Sequence, residues 1–312
     1  MKKAIKKLFK AAYGNFGIGA FNVFSAEQVQ AVFQGAQRAN SPVIIQITPV
    51  ARDYLCPEIL DGMISGAEKV YPDVVYSIHL DHGNRAHCLD SIESGYYSSV
   101  MIDASGEEFD SNIAITKEIV DKAHARGIAV EAELGVLSGI EDDTAVEADK
   151  ARYTDPEKAI EFISRTKCDS LAVAIGTSHG AYKFSGNAKL KTEILKAIGN
   201  KLPGYPLVLH GASAVPMEEV KKINAAGGKL LMSASGVPES EIKEAIRLGV
   251  CKINIATDMR LIWTRIHREF FKVTPEKFDM VIPGTDYMNA LSFFVAEKCR
   301  LLGAAGQAGL FQ

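Results

Sequence analysis

The sequence predicts an α/β protein with the (β/α)8, or TIM, barrel fold, and three observations support this fold class. Eight short apolar runs, rich in β-branched residues, alternate with longer stretches of helical periodicity along the 312 residues. Polar side chains follow nearly every run, where the carboxyl end of a barrel strand would lie. No glycine-rich turn follows the first run, which argues against the rival fold, a doubly wound parallel sheet.

The predicted strands are separated by segments that are each long enough for a helix. In chain order the strands span residues 17–22, 43–47, 74–80, 99–103, 128–134, 170–175, 206–210 and 251–255. Ser25 caps the first intervening helix, and Pro156 stands in the first turn of another. Residues 216–248 exceed one helix, so we predict two helices in an extended connection between strands 7 and 8. A C-terminal helix over 287–302 precedes a tail, 304–309, that we expect to be loose.

The composition allows one large core and excludes several classes of protein. Hydrophobic residues make up 47% of the chain and charged residues 23%, so we expect residues 1–312 to form a single domain. The 35 basic and 38 acidic residues are well mixed, which argues against a nucleic-acid partner. No apolar run reaches the roughly 18 residues of a membrane helix, and the basic segment 1–10 is expected to close one end of the domain as an amphipathic helix. Five scattered cysteines without a CxxC motif are typical of reduced thiols in a cytoplasmic protein.

Three histidines lie at or just beyond the ends of predicted strands, and each is followed directly by glycine. They are His82, His179 and His210, at strands 3, 6 and 7. The carboxyl ends of parallel barrel strands converge on one face, so three histidines far apart in the sequence can meet there. A single histidine at a strand end is more often a hydrogen-bonded core residue, but three neutral imidazoles on one face make a zinc site with an open position.

Carboxylates accompany the histidines at the same strand ends. Asp81 directly precedes His82, Asp103 ends strand 4, and Glu131 and Glu133 lie in strand 5. Buried carboxylates without partners are costly, and a divalent cation offsets that cost. Asp81, beside the metal, is a natural acid/base. Adjacent residues on an ideal strand face opposite sides, so we expect strand 3 to end between Asp81 and His82.

Small and polar residues after strands 6 to 8 suit a phosphate group. Backbone N–H groups at glycines after these strands can bind such an anion, and this is the usual phosphate site of a barrel. The residues in question are Gly180, Lys183, Gly211, Ser213, Asn254 and Thr257. The acidic, glycine-containing segment 134–144 is interpreted either as a solvated loop or as a mobile lid that carries Glu141 into the site.

These motifs together resemble the class II, zinc-dependent ketose-bisphosphate aldolases, from about residue 3 to the tail. The resemblance is carried by Gly19-Ala-Phe-Asn22, His79-Leu-Asp-His-Gly83, Val100-Met-Ile-Asp-Ala-Ser105, Val130-Glu-Ala-Glu-Leu-Gly135, Gly176-Thr-Ser-His-Gly180, His210-Gly-Ala-Ser213 and Lys252-Ile-Asn-Ile-Ala-Thr-Asp258. In the combination found here they are highly specific.

The resemblance implies a role for each group of residues. His82, His179 and His210 match the catalytic zinc ligands, and Asp103 and Glu133 match acids that serve an alternative or second metal position. Asp81 matches the catalytic acid/base, and Glu141 matches the carboxylate that handles a proton on the three-carbon fragment. The substrate-binding positions are Asn22, Thr48, Gly180, Lys183, Gly211, Ser213, Asn254, Thr257 and Arg260.

The resemblance also implies the reaction and its requirements. The reaction is the reversible cleavage of a ketose bisphosphate, first of all fructose 1,6-bisphosphate, to dihydroxyacetone phosphate and glyceraldehyde 3-phosphate. The implied cofactors are Zn²⁺, with room for a second divalent ion and a monovalent cation. The implied partners are the phosphorylated ketose and further copies of the chain in a homodimer or homotetramer.

Two positions depart from the fructose-bisphosphate pattern. Ala256 stands where those enzymes usually carry an acid, and tagatose-bisphosphate aldolases resemble this chain there. Thr285 stands near the position where many members carry an arginine for the distal phosphate. An aldolase for tagatose 1,6-bisphosphate or for another ketose 1-phosphate is therefore the alternative.

Two further alternatives remain open from the sequence. The first is a Schiff-base aldolase that uses Lys252, on strand 8. In such an enzyme the three strand-end histidines would have no catalytic role. The second is a non-catalytic sugar-phosphate-binding protein on the same scaffold, which would not need Asp81 or Glu141.

Overall fold

The strands of the computed structural model close into a barrel whose eight members are all parallel. The structure describes residues 1–136, 138–141, 144–146, 152–179, 189–232 and 236–311. The barrel strands are β1 (Ile18–Asn22), β2 (Val43–Ile47), β3 (Tyr76–Gly83), β4 (Ser99–Ile102), β5 (Ala129–Leu134), β8 (Ser170–Val173), β10 (Leu207–Leu209) and β11 (Val250–Ile255). Around the barrel their order is β1-β11-β10-β8-β5-β4-β3-β2. The predicted fold class is confirmed, with all eight strands at the predicted places.

Twelve helices connect and cover the strands within the described residues. They are α1 (Ile5–Ala12), α2 (Ala26–Ala39), α3 (Pro49–Leu55), α4 (Pro57–Val70), α5 (Arg85–Ser94), α6 (Phe109–His124), α7 (Pro156–Thr166), α8 (Thr192–Lys201), α9 (Met217–Ala225), α10 (Glu239–Arg247), α11 (Thr257–Val273) and α12 (Val281–Leu301). The connection between β10 and β11 contains two helices, α9 and α10, as predicted. Among the described residues no helix is both long and apolar enough to cross a membrane.

Local sequence signals determine where several helices begin. The Ser25 side chain accepts a hydrogen bond from the Gln28 N–H at the start of α2. Asp155 accepts hydrogen bonds from two backbone N–H groups at the start of α7, and Pro156 fills the first helical position. These contacts satisfy donors that have no partner inside the helix.

The amino ends of the strands are closed by α1 and by the C-terminal tail. Leu8 and Phe9 of α1 pack into a separate apolar cluster against Ile18, at the start of β1. The prediction that the first helix closes one end of the domain is therefore confirmed. The polar side chains that follow the strands lie at the opposite end of the barrel, where the strands finish.

The prediction of a loose tail is wrong. Residues Gln307–Phe311 form a 3-10 helix, and Ala304 and Ala308 are buried in the same apolar cluster as α1. The Ala308 N–H also donates to the Asn40 carbonyl. The small side chains of the tail allow this close packing. From the sequence alone, however, a segment rich in alanine and glycine does not look ordered.

A small second sheet is formed by residues that follow β5 and β8 along the chain. It contains β6 (Ser138–Glu141), β7 (Thr144–Val146) and β9 (Ser178–His179). β6 and β7 form an antiparallel pair, and β6 also pairs in parallel with β9 so that Gly139 lies opposite His179. The segment predicted as a lid, 134–144, therefore contains β6, whose backbone is bonded to the strand of a predicted metal ligand.

Candidate active site and metal centre

Metal-ligating side chains from four strands meet at the carboxyl end of the barrel. One group consists of Asp81, His82 and His210, and a second consists of His82, Asp103 and Glu133. Within each group the potential ligand atoms all lie within 4.8 Å of one another. The His82 and His210 rings have centroids 4.7 Å apart. Residues that are remote in the sequence thus share one site, as the strand-end argument predicted.

The structure resolves how two adjacent residues of β3 both reach this site. His82 has a φ of 48°, in the left-handed region that a non-glycine residue rarely adopts. The register with β4 shifts between Leu80 and Gly83 at the same point. The expectation that strand 3 ends between Asp81 and His82 is therefore wrong, because β3 continues to Gly83 and changes the direction of its side chains through this irregularity.

Carboxylates hold the two imidazoles in defined orientations. His82 Nδ1 lies 2.8 Å from Asp103 Oδ2. His210 Nε2 lies 3.0 Å from Glu131 Oε1, and its Nδ1 lies 3.1 Å from Glu133 Oε2. An ionised carboxylate can only accept, so each contact places an N–H on the imidazole nitrogen that faces it.

The same contacts shift the pKa values of these groups. Burial disfavours the charged form of Asp103, but the hydrogen bond and charge of His82 outweigh burial and hold its pKa well below the usual range. Burial likewise disfavours a charged His210, whereas the hydrogen bonds with Glu131 and Glu133 raise its pKa to about 9. Because carboxylates outnumber imidazoles among these groups, the site is rich in negative charge.

Asp81 is fully buried and is held by three side-chain amides. Asn22 Nδ2 donates to Oδ2 at 2.9 Å, and Gln46 Nε2 donates to the same oxygen at 3.3 Å. Asn254 Nδ2 donates to Oδ1 at 3.1 Å. Asn22 and Asn254 were predicted as substrate-binding residues, and in the structure both orient the predicted acid/base.

The donor set fits a divalent metal ion. Two imidazoles and three carboxylates offer nitrogen and oxygen ligands. His82 has a carboxylate partner on Nδ1, and His210 has one on each ring nitrogen. Such histidine–carboxylate pairs are typical of protein metal sites, where they fix the orientation of the ring. Without a cation, this many acids in a buried site would be costly.

The predicted third histidine and the lid carboxylate are described only in part. The backbones of His179 and Glu141 lie in β9 and β6, and their side chains lie outside the described part of the structure. Gly180 and Lys183 also lie outside the described residues. The roles of these four residues stay predictions.

The loop after β10 is held in a tight conformation beside the site. Gly211 has a φ of 62°, and a Cβ atom there would lie 2.5 Å from the Ser178 carbonyl oxygen, so only glycine fits. The buried carboxylate of Asp258 accepts hydrogen bonds from the Ala214 N–H at 3.0 Å and the Val215 N–H at 2.8 Å. The predicted phosphate loop, with Ser213 buried in it, is thereby tied to the first turn of α11.

The other predicted substrate contacts lie around the same rim. Thr48 is buried and its hydroxyl accepts a hydrogen bond from the Ala51 N–H, which caps α3. Thr257 is the first residue of α11, and the Arg260 guanidinium lies 5.0 Å above the Phe24 ring. Thr48 therefore has a structural role that its sequence position did not indicate.

Sequence reasoning missed Gln46 and Asp258. Gln46 is the one polar residue of the otherwise apolar run Val43–Ile47, and β1–β2 pairing puts it directly opposite Asn22. A polar side chain at a position buried on both faces was the signal that could have identified it. Asp258 gives no such signal, because an acid in the first turn is also what an ordinary helix prefers.

Comparison with known proteins agrees with this geometry. The family model described as fructose-bisphosphate aldolase class-II matches residues 3–307. The chain is 43% identical to the fructose-bisphosphate aldolase of Giardia intestinalis, over 97% of this chain and 93% of that protein. It is 42% identical to the enzyme of the same name from Thermus caldophilus, over 96% and 97% of the two chains.

The chain belongs to the class II fructose-bisphosphate aldolase family. It is accordingly a lyase, and membership implies a divalent metal and a sugar phosphate substrate. Solved structures agree: the YdjI aldolase of Escherichia coli superimposes with a TM-score of 0.77 at 31% identity, covering 99% of this chain and 100% of that one. The fructose-bisphosphate aldolase of Campylobacter jejuni gives a TM-score of 0.69 at 26% identity, covering 96% and 93%.

Proposed function

We propose that this aldolase reversibly cleaves fructose 1,6-bisphosphate to dihydroxyacetone phosphate and glyceraldehyde 3-phosphate with the help of a zinc ion. The observation that carries the proposal is the position of Asp81. This buried carboxylate lies within the same 4.8 Å group as His82 and His210 and is oriented by three amides. A base held beside a metal site is what the retro-aldol reaction requires, and the relatives support the substrate.

The residues that would hold the zinc ion are the strand-end histidines. His82, His210 and His179 are the proposed ligands, and Asp103 and Glu133 offer an alternative or second position, also suited to another divalent ion. When bound, the metal supplies Lewis-acid stabilisation of the negative charge that develops next to the substrate ketone. Zinc agrees with a proposed ligand set of three imidazoles.

Proton transfers are assigned to two carboxylates. Asp81 takes the proton of the substrate C4 hydroxyl as the C3–C4 bond breaks, and its amide partners keep the accepting oxygens in place. Glu141 then delivers a proton to the carbon of the three-carbon fragment. The pairing of β6 with β9 supports this second role, because it joins the backbone of the lid to the site.

Substrate binding is assigned to the loops after strands 6 to 8. The 1-phosphate would contact Gly180, Lys183, Gly211, Ser213, Asn254 and Thr257, with room for a monovalent cation nearby. Asn22 and Thr48 would contact oxygens of the sugar, and Arg260 would contact the distal phosphate. The tight, anchored conformation of the loop that starts at Gly211 supports this assignment, since backbone N–H groups bind phosphate well when they are fixed in advance.

A second candidate substrate is tagatose 1,6-bisphosphate. Ala256 stands at the cap of α11 without a side chain that could reach a substrate hydroxyl, whereas an acid is usual there in fructose-bisphosphate enzymes. Thr285 is exposed on α12 and provides no charge for a distal phosphate. Both features favour a site that is less selective for the fructose configuration.

The experiment measures cleavage of fructose 1,6-bisphosphate, tagatose 1,6-bisphosphate and singly phosphorylated ketoses, each with and without EDTA. The proposal expects cleavage of fructose 1,6-bisphosphate with the highest kcat/KM and its loss upon chelation. A higher kcat/KM for the tagatose sugar would instead favour the second candidate. EDTA-resistant cleavage with borohydride trapping would favour a Schiff-base enzyme that uses Lys252. Absence of cleavage with every sugar would favour the binding protein.

We also propose that the enzyme works as a homodimer or homotetramer in the cytoplasm. Large apolar side chains are exposed around the junction of α11 and α12, with Phe278 93% and Met280 84% exposed. Apolar surface of this kind is unusual on a monomer. Light scattering after size-exclusion chromatography measures the mass, and a monomer at micromolar concentration would contradict the proposal.

A further inference from the structure

A lysine and a glutamate form an ion pair inside the barrel, directly beneath the candidate metal site. Lys252 on β11 is 0% exposed and Glu131 on β5 is 1% exposed. Lys252 Nζ donates to Glu131 Oε1 at 2.9 Å and to Oε2 at 3.0 Å. Removing two charges from water costs more than such a pair usually returns in stability, so its presence in the core calls for a role other than folding.

The glutamate of this pair contacts a proposed metal ligand. Glu131 Oε1 lies 3.0 Å from His210 Nε2, and the carboxylate can only accept there. The proton of Nε2 is therefore directed at Glu131. Nδ1 lies 3.1 Å from Glu133 Oε2, a member of the metal-ligating group, and is therefore the nitrogen that a metal held by that group would bind in place of a proton. Glu131 thus selects which nitrogen of His210 is offered to a metal.

The lysine of this pair contacts the proposed acid/base. Lys252 Nζ lies 3.9 Å from Asp81 Oδ1, the same oxygen that Asn254 binds. His79 lies on the other side of Glu131, with its Nε2 3.5 Å from Glu131 Oε2 and its Nδ1 2.7 Å from Ser99 Oγ. The pair therefore lies between the metal-binding and the proton-transferring halves of the site.

We infer that Lys252 and Glu131 act together as positioning residues: Glu131 presents His210 Nδ1 to the metal, and Lys252 fixes the Asp81 carboxylate. The part that concerns Asp81 rests on the proposed function, and the part that concerns His210 does not. Both oxygens of Glu131 accept hydrogen bonds from Lys252 Nζ, so the lysine is held in this pair. Neither residue needs to touch the substrate.

Glu131→Gln tests the part of the inference that concerns His210 and the metal, with a side chain of the same shape. We expect the affinity for Zn²⁺, measured by competition with a chromophoric chelator, to fall by about 10–100-fold. We also expect the visible absorption of the Co²⁺-substituted protein to change, because the orientation of one ligand changes. Unchanged Zn²⁺ affinity together with an unchanged Co²⁺ spectrum would overturn the inference for Glu131.

Lys252→Met tests the part of the inference that concerns Asp81, with an uncharged side chain of similar length. We expect kcat to fall by about 10-fold or more while KM for the sugar stays within about 2-fold, since the lysine does not reach the substrate. The double variant Glu131→Gln/Lys252→Met removes both charges of the pair, and it should be more stable than Lys252→Met alone, which leaves Glu131 buried without its cation. A kcat of Lys252→Met equal to that of the wild type would overturn this half.

The matched controls are Asp169→Asn and Lys6→Met, an ion pair at the opposite end of the barrel. Asp169 accepts from His124 Nε2 at 2.8 Å and from the Val130 N–H at 2.7 Å, where β5 and β8 begin and not where the strands finish. These variants should change thermal stability without changing Zn²⁺ affinity, the Co²⁺ spectrum or kcat. If they reproduce the effects of the core variants, the pair has only a structural role and the inference fails.

The two proposals fail in different experiments. Wild-type protein that cleaves no ketose phosphate would overturn the proposed function, whereas the Zn²⁺ affinity and Co²⁺ spectrum of Glu131→Gln need no substrate. If the wild-type protein cleaves the sugar and Glu131→Gln binds the metal as the wild type does, the proposed function stands and the inference fails.

Discussion

His82 combines a strained backbone conformation with a place in the candidate metal site. Its left-handed φ of 48° costs energy at a non-glycine position, yet it lets Asp81 and His82 reach the same cluster from one strand. Glycine follows it, and a Cβ at Gly83 would lie 2.5 Å from Leu80 Cδ2 and 3.0 Å from the Met101 carbonyl oxygen, so a larger residue would require these neighbours to shift. Periodicity alone could not predict this geometry, since an ideal strand separates adjacent side chains.

Asp81→Ala tests the assignment of the acid/base. We expect turnover to fall by about 100-fold or more, because proton transfer from the C4 hydroxyl loses its base. Binding of zinc and of inorganic phosphate should persist, since His82, His210 and the loop after β10 remain. Steady-state kinetics and metal analysis of the purified variant measure both. Cleavage at nearly the wild-type rate would show that another group is the base.

The loop after β10 is the element on which substrate affinity should depend most. Its anchor, Asp258, lies 43 to 44 residues away in sequence from the N–H groups that it accepts, at Ala214 and Val215. Val215 has a φ of 43°, unfavourable for a β-branched residue, so the loop needs outside support to keep this conformation. Local sequence patterns predicted the glycines of the loop and not the carboxylate that holds it.

Asp258→Asn tests this anchor. An amide can accept from only one of the two N–H groups without turning its own NH2 toward the other, so the loop should loosen. We expect KM for the sugar bisphosphate and the inhibition constant of inorganic phosphate to rise by about 5–10-fold, equivalent to one lost hydrogen bond of ordinary strength. Zinc affinity should not change. A wild-type inhibition constant for phosphate would contradict the role given to the loop.

Element positions were largely predictable because burial acts on local patterns. The apolar runs that became barrel strands are buried on both faces, and the caps at Ser25 and Asp155 begin helices as their chemistry requires. The tail from Ala304 was not predictable, because its order depends on contacts with α1 and with residue Asn40. Gln46 and Asp258 were missed for the same reason: their partners come from other strands and loops.

At the scale of the whole molecule, the barrel separates stability from chemistry. The end where the strands begin is filled by an apolar cluster that includes Leu8 and Phe9 of α1, and the end where they finish carries the acids and imidazoles. In barrel enzymes this division is general. That residues 1–312 act as a single domain stays a prediction.

Leu8→Ala tests this division. The side chain is fully buried, so we expect the free energy of unfolding to fall by about 2–5 kcal/mol. Values of kcat and KM at low temperature should equal those of the wild type, because the cluster lies at the far end of the barrel. Lys7→Ala, an exposed neighbour on α1, is the control and should change stability by about 0.5 kcal/mol or less. A large loss of kcat at full occupancy of the folded state would contradict the separation.

The most direct test of the account is the cleavage of fructose 1,6-bisphosphate by protein from which all metal has been removed. We expect demetallated wild-type protein to lose activity and to regain it upon addition of Zn²⁺. We expect His82→Ala and His210→Ala to bind Zn²⁺ weakly and to stay inactive after the addition. Undiminished cleavage by protein that elemental analysis proves free of metal would contradict the central claim that the strand-end histidines hold a catalytic ion.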